Sequence, residues 1–232
     1  MLTALIPAAV LGLIAFGLVS FRFRDAADLT PRSLLGLYLY LASLAAVLVF
    51  AIGVASLVNV AVAATGGNDF TYGRPPDPAS FTVPACPPNT PECDAARARE
   101  AASNPAAQML AQRDRRPADD LARGLTFTIF GGLFWGAHWL ARRTFIAVGA
   151  PSPFGRGYLM AGTLLFGLVT VVLLPWGIYQ ALSTVFVPPA PGMFSMGVGD
   201  TLGGGIAALP IWLIYLRLAI RDLGSSAAGK AA

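Results

Sequence analysis

Residues 34–62 read LLGLYLYLASLAAVLVFAIGVASLVNVAV, a stretch without one charged side chain. A helix rises about 1.5 Å per residue, so this run reaches past 40 Å, roughly. The hydrocarbon core of a bilayer is about 30 Å thick. A helix apolar on every side must lie in lipid or be buried all round. Four further runs share this character, at roughly 2–20, 124–141, 157–184 and 202–220. The sequence thus predicts an all-α, polytopic helical membrane protein with five transmembrane helices.

Composition agrees. Of 232 residues, 56% are hydrophobic and 12% charged, against about 25% charged in soluble domains. The net charge of +4 is explained by orientation rather than by nucleic-acid binding. Arg22, Arg24 and Arg32 follow the first run, Arg142, Arg143 and Arg156 separate the third and fourth, and Arg217, Arg221 and Lys230 follow the fifth. The connection 185–200 has no Lys or Arg. Short cytoplasmic loops collect Lys and Arg. This places the N-terminus and loop 65–123 outside and the C-terminus in the cytoplasm. The first run lacks a positive N-terminal region and an A-x-A site, so residues 1–21 are expected to be a retained anchor.

Loop 65–123 opens with turn residues, Gly66-Gly67-Asn68-Asp69, and carries prolines at 75, 76, 78, 84, 87, 88 and 91. Short helices are expected over 92–102 and 105–116, with a new helix starting at Pro117-Ala118-Asp119-Asp120. Cys86 and Cys93 lie in this loop and are expected to form a disulfide, since an extracytoplasmic compartment permits one. Two Cys without a nearby His make a poor metal site. Residues 223–232 are expected to be a disordered tail.

The chain also repeats itself. Aligning Tyr38 with Tyr158 sets two long apolar helices, each after an inner-side Arg, in register. Aligning Trp135 with Trp212 sets His138 against Tyr215. The expected units are hairpins formed by 32–64 with 124–143, and by 155–222. Two spans per unit make them parallel repeats.

The opening Arg32-x-x-x-x-x-Tyr38-Leu39-Tyr40 and the closing Trp135-x-x-His138-Trp139-x-x-Arg142 resemble a bacterial integral-membrane family, catalogued as domain of unknown function number five-six-seven-one. The resemblance covers about residues 30–222. It departs in the second unit, where Tyr215 stands in place of a His-Trp pair. It implies the helical membrane fold and a bacterial cytoplasmic (inner) membrane location, and carries no activity. The abundance of Ala, Gly, Pro and Arg fits a GC-rich bacterial genome.

All twelve acidic residues fall outside the five runs, which argues against a proton- or sodium-coupled transporter. Asn59 and Gln180 are polar exceptions near the outer ends of two long helices. Each is expected to bond across a helix interface; the alternative is that they line an outward cavity. His138 is the single histidine. Between Trp135 and Trp139 it reads as an interfacial residue of an aromatic belt, the alternative being a haem ligand paired with Met160. Gly132 and Gly136 form a G-x-x-x-G pair suited to close helix packing. No phosphate loop, nucleophile elbow or H-E-x-x-H site is present.

The expected protein is therefore a non-enzymatic structural or accessory subunit of a larger membrane assembly, with no catalytic, cofactor or metal residues. Its partners are the lipid bilayer and other membrane proteins or further copies of itself, and not nucleic acid. The alternatives are a channel or facilitator for a small neutral solute, or a haem-binding electron carrier.

Overall fold

The computed structural model describes residues 31–74, 105–145, 153–187 and 195–231. The anchor 1–21, the cysteine pair Cys86 and Cys93 and the helix expected over 92–102 lie outside the described residues. Four long helices dominate: α1 (Pro31–Gly66), α3 (Pro105–Phe145), α4 (Pro153–Phe186) and α5 (Gly199–Ala231). A short helix α2 (Asn68–Tyr72) leads into β1 (Gly73–Arg74), which pairs antiparallel with β2 (Ser195–Met196). Three segments are long and apolar enough to cross a membrane: Ser33–Gly66, Phe154–Phe186 and Gly199–Gly224. The expected span 124–141 lies within α3 but is not among them. His138, Trp135, Trp139, two threonines and four glycines dilute its apolar character.

Two boundaries differ from expectation. The helix start at Pro117 is absent, because α3 runs unbroken through that residue. Proline there removes the donor to the Arg113 carbonyl, but residues 114–116 are exposed and water can take the freed group. The tail is also helical, since α5 continues to Ala231. No proline follows Pro210, and Ala227, Ala228 and Ala231 favour the helix once it has begun.

The long helices pack α3 on α1, α1 on α5 and α5 on α4. The core is small: Leu44 and Val47 of α1 meet Tyr158, Ala161 and Phe166 of α4 and Ala208 and Tyr215 of α5. Close approach is set by glycines at helix contacts. A Cβ on Gly53 would collide with the Thr128 backbone and Oγ1, and one on Gly131 with the Phe50 backbone. The G-x-x-x-G pair read from the sequence is not this seam. Gly132 meets only the edge of the Phe50 ring at 3.7 Å, and Gly136 faces open space. The seam on α3 is Gly124, Thr128 and Gly131, spaced so as to share one helical face.

At one end of the bundle, α2 and β1 fold back over the helices. Gly67 (φ 86, ψ 162) and Gly73 (φ 87, ψ 163) flank α2 in a backbone region that only glycine occupies readily. Gly73 also presses on the Ser195 carbonyl of β2, leaving no room for a Cβ. Gly73→Ala is expected to cost about 1–3 kcal/mol for the backbone conformation alone. A lowered unfolding midpoint in mild detergent, with helix content unchanged at room temperature, is the expected measurement.

Candidate functional site

Polar side chains gather at two levels of the bundle. The first lies under α2, where α1, α3 and α5 converge. Asn59 of α1 is 2% exposed. Its Nδ2 donates to Asp120 Oδ2 of α3 at 3.4 Å and to Asp200 Oδ1 of α5 at 3.2 Å. One amide nitrogen thus joins two carboxylates from different helices. The other end of the amide, Oδ1, is buried without a hydrogen-bond partner. Gly203 and Gly199 lie beside it, and a Cβ on Gly203 would run into Oδ1.

Asp120 is buried, at 8% exposure. Its second oxygen is 3.7 Å from Arg123 Nη1, a half-exposed guanidinium. Tyr72 of α2 completes the cover. Its hydroxyl is buried and close enough to Asp120 for the two to perturb each other, yet outside strict hydrogen-bond geometry. Burial, with Asp120 and Asp200 nearby, raises the Tyr72 phenol above its ordinary range, so it stays protonated. Beside the cluster, Thr71 is buried against Gly197 and Gly199. On the rim, Asp69 bridges Arg74 at 3.0 Å and Arg113 at 2.5 Å, which ties α2 to α3. Gln180 of α4 accepts from Thr201 Oγ1 of α5 at 2.6 Å.

Burial is the first cause that moves the Asp120 carboxyl upward from its ordinary value of 3.8; Asn59, Arg123 and Tyr72 pull it down, and Asp200 adds to the rise. The folded state therefore binds a proton more tightly than the unfolded chain. Between the ordinary value and the raised one, stability falls as pH rises. In detergent, the unfolding midpoint is expected to drop across that acid window, and Asp120→Asn is expected to flatten the slope.

The second level joins all four long helices around aromatic rings. Tyr215 Oη donates to Tyr158 Oη between α5 and α4. The Arg142 guanidinium of α3 lies 4.8 Å from the Tyr158 ring and 5.0 Å from the Tyr40 ring of α1. Such cation–π contacts hold a guanidinium where water is scarce. Tyr40 and Tyr158 are 5.4 Å apart, as are Tyr158 and Tyr215. His138 Nδ1 contacts the Phe134 carbonyl at 2.7 Å, the geometry of a donor to the preceding turn, and its ring lies 5.9 Å from Tyr38. Trp139 stacks under Arg143 at 3.8 Å, and Trp135 and Trp139 are both exposed. Met160 is an exposed residue of α4, while the ring neighbour of His138 is on α1.

The sequence marks Asn59, Gln180, His138, Trp135 and Trp139, and the structure separates them into these two groups. Asp120, Asp200 and Tyr72 were missed because each stands outside an apolar run. Their one sequence signal is that an acid directly precedes two of the runs.

The described chain is an all-α protein with three helices able to span a bilayer, the build of a multi-pass membrane protein. Comparison with protein families, with curated proteins and with solved structures gives no match for this chain.

Proposed function

We propose that this is a non-enzymatic integral membrane protein that works by lateral helix packing, as a structural or accessory subunit of a larger assembly. Five spans, with the N-terminus outside and the C-terminus inside the bacterial cytoplasmic membrane, belong to the same reading. So does membership of the bacterial family that shares the Tyr38–Tyr40 and Trp135–Arg142 signatures.

Duplication supports it. The shift that carries Tyr38 onto Tyr158 carries Leu57 onto Gly177; the shift that carries His138 onto Tyr215 carries Gly124 onto Thr201. The matched residues make matched contacts. Tyr38 meets His138, as Tyr158 meets Tyr215. Leu57 packs at Gly124, as Gly177 packs at Thr201 and Leu202. These matched contacts support reading the two hairpins as parallel copies.

The observation that carries the proposal is what the copies do not share. On α1, Leu44 and Ala55 are buried, and Leu48 and Ala51 pack against the core. The first shift carries these positions onto Leu164, Leu168, Val171 and Pro175 of α4. All four are exposed, Leu164 at 69%. A face covered by a helix in one copy lies bare in the other among the described residues. A wide apolar band of this kind is suited to lipid or to a membrane partner. Asn59 Nδ2 is engaged by Asp120 and Asp200 and Gln180 Oε1 by Thr201, within helix contacts, which takes support from a solute pathway. Crosslinking from photoreactive residues placed at positions 164, 168 and 171 in native membranes is expected to capture a partner protein or a second copy. A lone monomer in mild detergent, with only lipid adducts, would end the proposal.

A further inference from the structure

We infer that the protein self-associates head to tail, with α3 of one copy packed on α4 of the next. The inference rests on the reading of two parallel hairpins, and it names the occupant of the bare face of α4 as a second copy of this chain.

The four long helices pack in the order α3, α1, α5, α4. The central contact, α1 on α5, joins the first helix of one hairpin to the second helix of the other. Such a contact is heterologous, because it uses two different faces. Within one chain it is made once, so one face of each kind is left over. The leftover faces lie on α4 and on α3.

Both are bare. The engaged face of α1 sets Ala55 and Asn59 against Gly203 of α5, and Asn59 Nδ2 donates to Asp200. The shift that carries Tyr38 onto Tyr158 carries Ala55 and Asn59 onto Pro175 and Tyr179. Both are exposed, Tyr179 at 61%. On α5 the engaged face holds Asp200, Gly203 and, one turn on, the buried Ala207. The shift that carries Tyr215 back onto His138 carries these onto Arg123, Thr126 and Phe130 of α3. All three are exposed, Phe130 at 53%. Parallel repeats are related by an axis along the membrane normal, so matched residues keep one depth in the bilayer. A second copy turned about that axis therefore brings the two leftover faces together in register. Bulkier residues on both, Phe130 for Ala207 and Val171 for Ala51, set these helices farther apart than α1 and α5. A twofold axis engages both faces of both copies at once and closes a dimer.

Two observations favour protein over lipid on these faces. First, the polar pair of the internal contact, Asn59 with Asp200, becomes Tyr179 with Arg123. A guanidinium on a phenol ring is again an attractive pair, by cation–π contact. Within its own chain Arg123 reaches Asp120 at 3.7 Å, with its side chain 42% exposed. Second, α3 stands at the end of the row, yet it is the one long helix without a segment apolar enough to span lipid. Its small and polar residues suit a helix interface.

The test uses the full chain in native membranes, co-expressed under two different tags, with a photoreactive phenylalanine at position 130 of one copy. The product is expected to carry both tags and to map to residues 153–186 of the second copy. The reciprocal probe at position 168 is expected to map to residues 105–145. Leu125 is also exposed, but five residues place it about 140° round the helix from Phe130. A probe there is expected to capture several-fold less of the second tag. Tyr179→Ala is expected to reduce the product from position 130 several-fold, and Tyr179→Phe, which keeps the ring, to retain most of it. Capture of a different protein would overturn self-association and leave the accessory-subunit reading standing. Lipid adducts alone, with a monomer in mild detergent, would end both. A product within one copy, onto residues 1–30, would assign the face to that segment and overturn the proposal. Equal capture from position 125 would mark random collision and overturn it, as would an undiminished product in Tyr179→Ala.

Discussion

Asn59→Leu is expected to lower stability by about 2–3 kcal/mol, a large effect for one uncharged side chain. A hydrogen bond to an ionised group is worth about 1.5–3 kcal/mol, and Asn59 makes two. They are long, at 3.4 and 3.2 Å, so each contributes less than that range, about 1–1.5 kcal/mol. Leucine fits the volume but leaves Asp120 and Asp200 facing one another without their shared donor. The destabilisation should shrink in acid, where the proton that Asp120 already holds more tightly removes one charge. It should also shrink in the double variant with Asp120→Asn. Denaturation in a detergent series at two pH values measures both. An equal loss at both pH values would show that Asn59 acts by packing alone.

Gly53→Leu is expected to cost about 3 kcal/mol and to loosen α1 from α3. Overpacking a well-filled contact typically costs about 1–3 kcal/mol, occasionally more. Here the colliding atoms belong to the Thr128 and Phe127 backbone, so no rotamer change relieves the clash and the helices must part. Gly136→Leu on α3 is the matched control. That residue faces open space, so a near-neutral change is expected despite its place in the G-x-x-x-G pair. The two unfolding midpoints, measured side by side, separate the observed seam from the one the motif suggests. If Gly136→Leu proved the more damaging, the seam assigned to Gly124, Thr128 and Gly131 would be wrong.

The long helices were legible because lipid-length apolar runs have a strong one-dimensional signature. Runs 34–62, 157–184 and 202–220 lie within α1, α4 and α5, the first two a few residues short of the helix ends and the third well short of the end of α5 at Ala231. The continuity of α3 through Pro117 was not legible. A proline lowers helix propensity locally, while packing along the rest of the helix sets the outcome. The glycine seam was half legible. Small residues announce a close contact, but the face they present depends on helix rotation, and Gly131 lies only one residue from Gly132.

The polar cluster shows the same division. Composition marked Asn59 as out of place in an apolar helix, and spacing aligned Tyr38 with Tyr158 and His138 with Tyr215. The partners of Asn59 lie far along the chain, and no local pattern links positions 59, 120 and 200. Sequence alone determined the solvent this protein suits and the length of its helices, because transfer of apolar side chains from water is additive and local. Tertiary packing alone decided that two acids share one buried amide and that Leu44 and Ala55 of α1 are covered while Leu164 and Leu168 of α4 are bare. Those outcomes depend on how helices rotate and pair, and pairing is a property of surfaces rather than of runs.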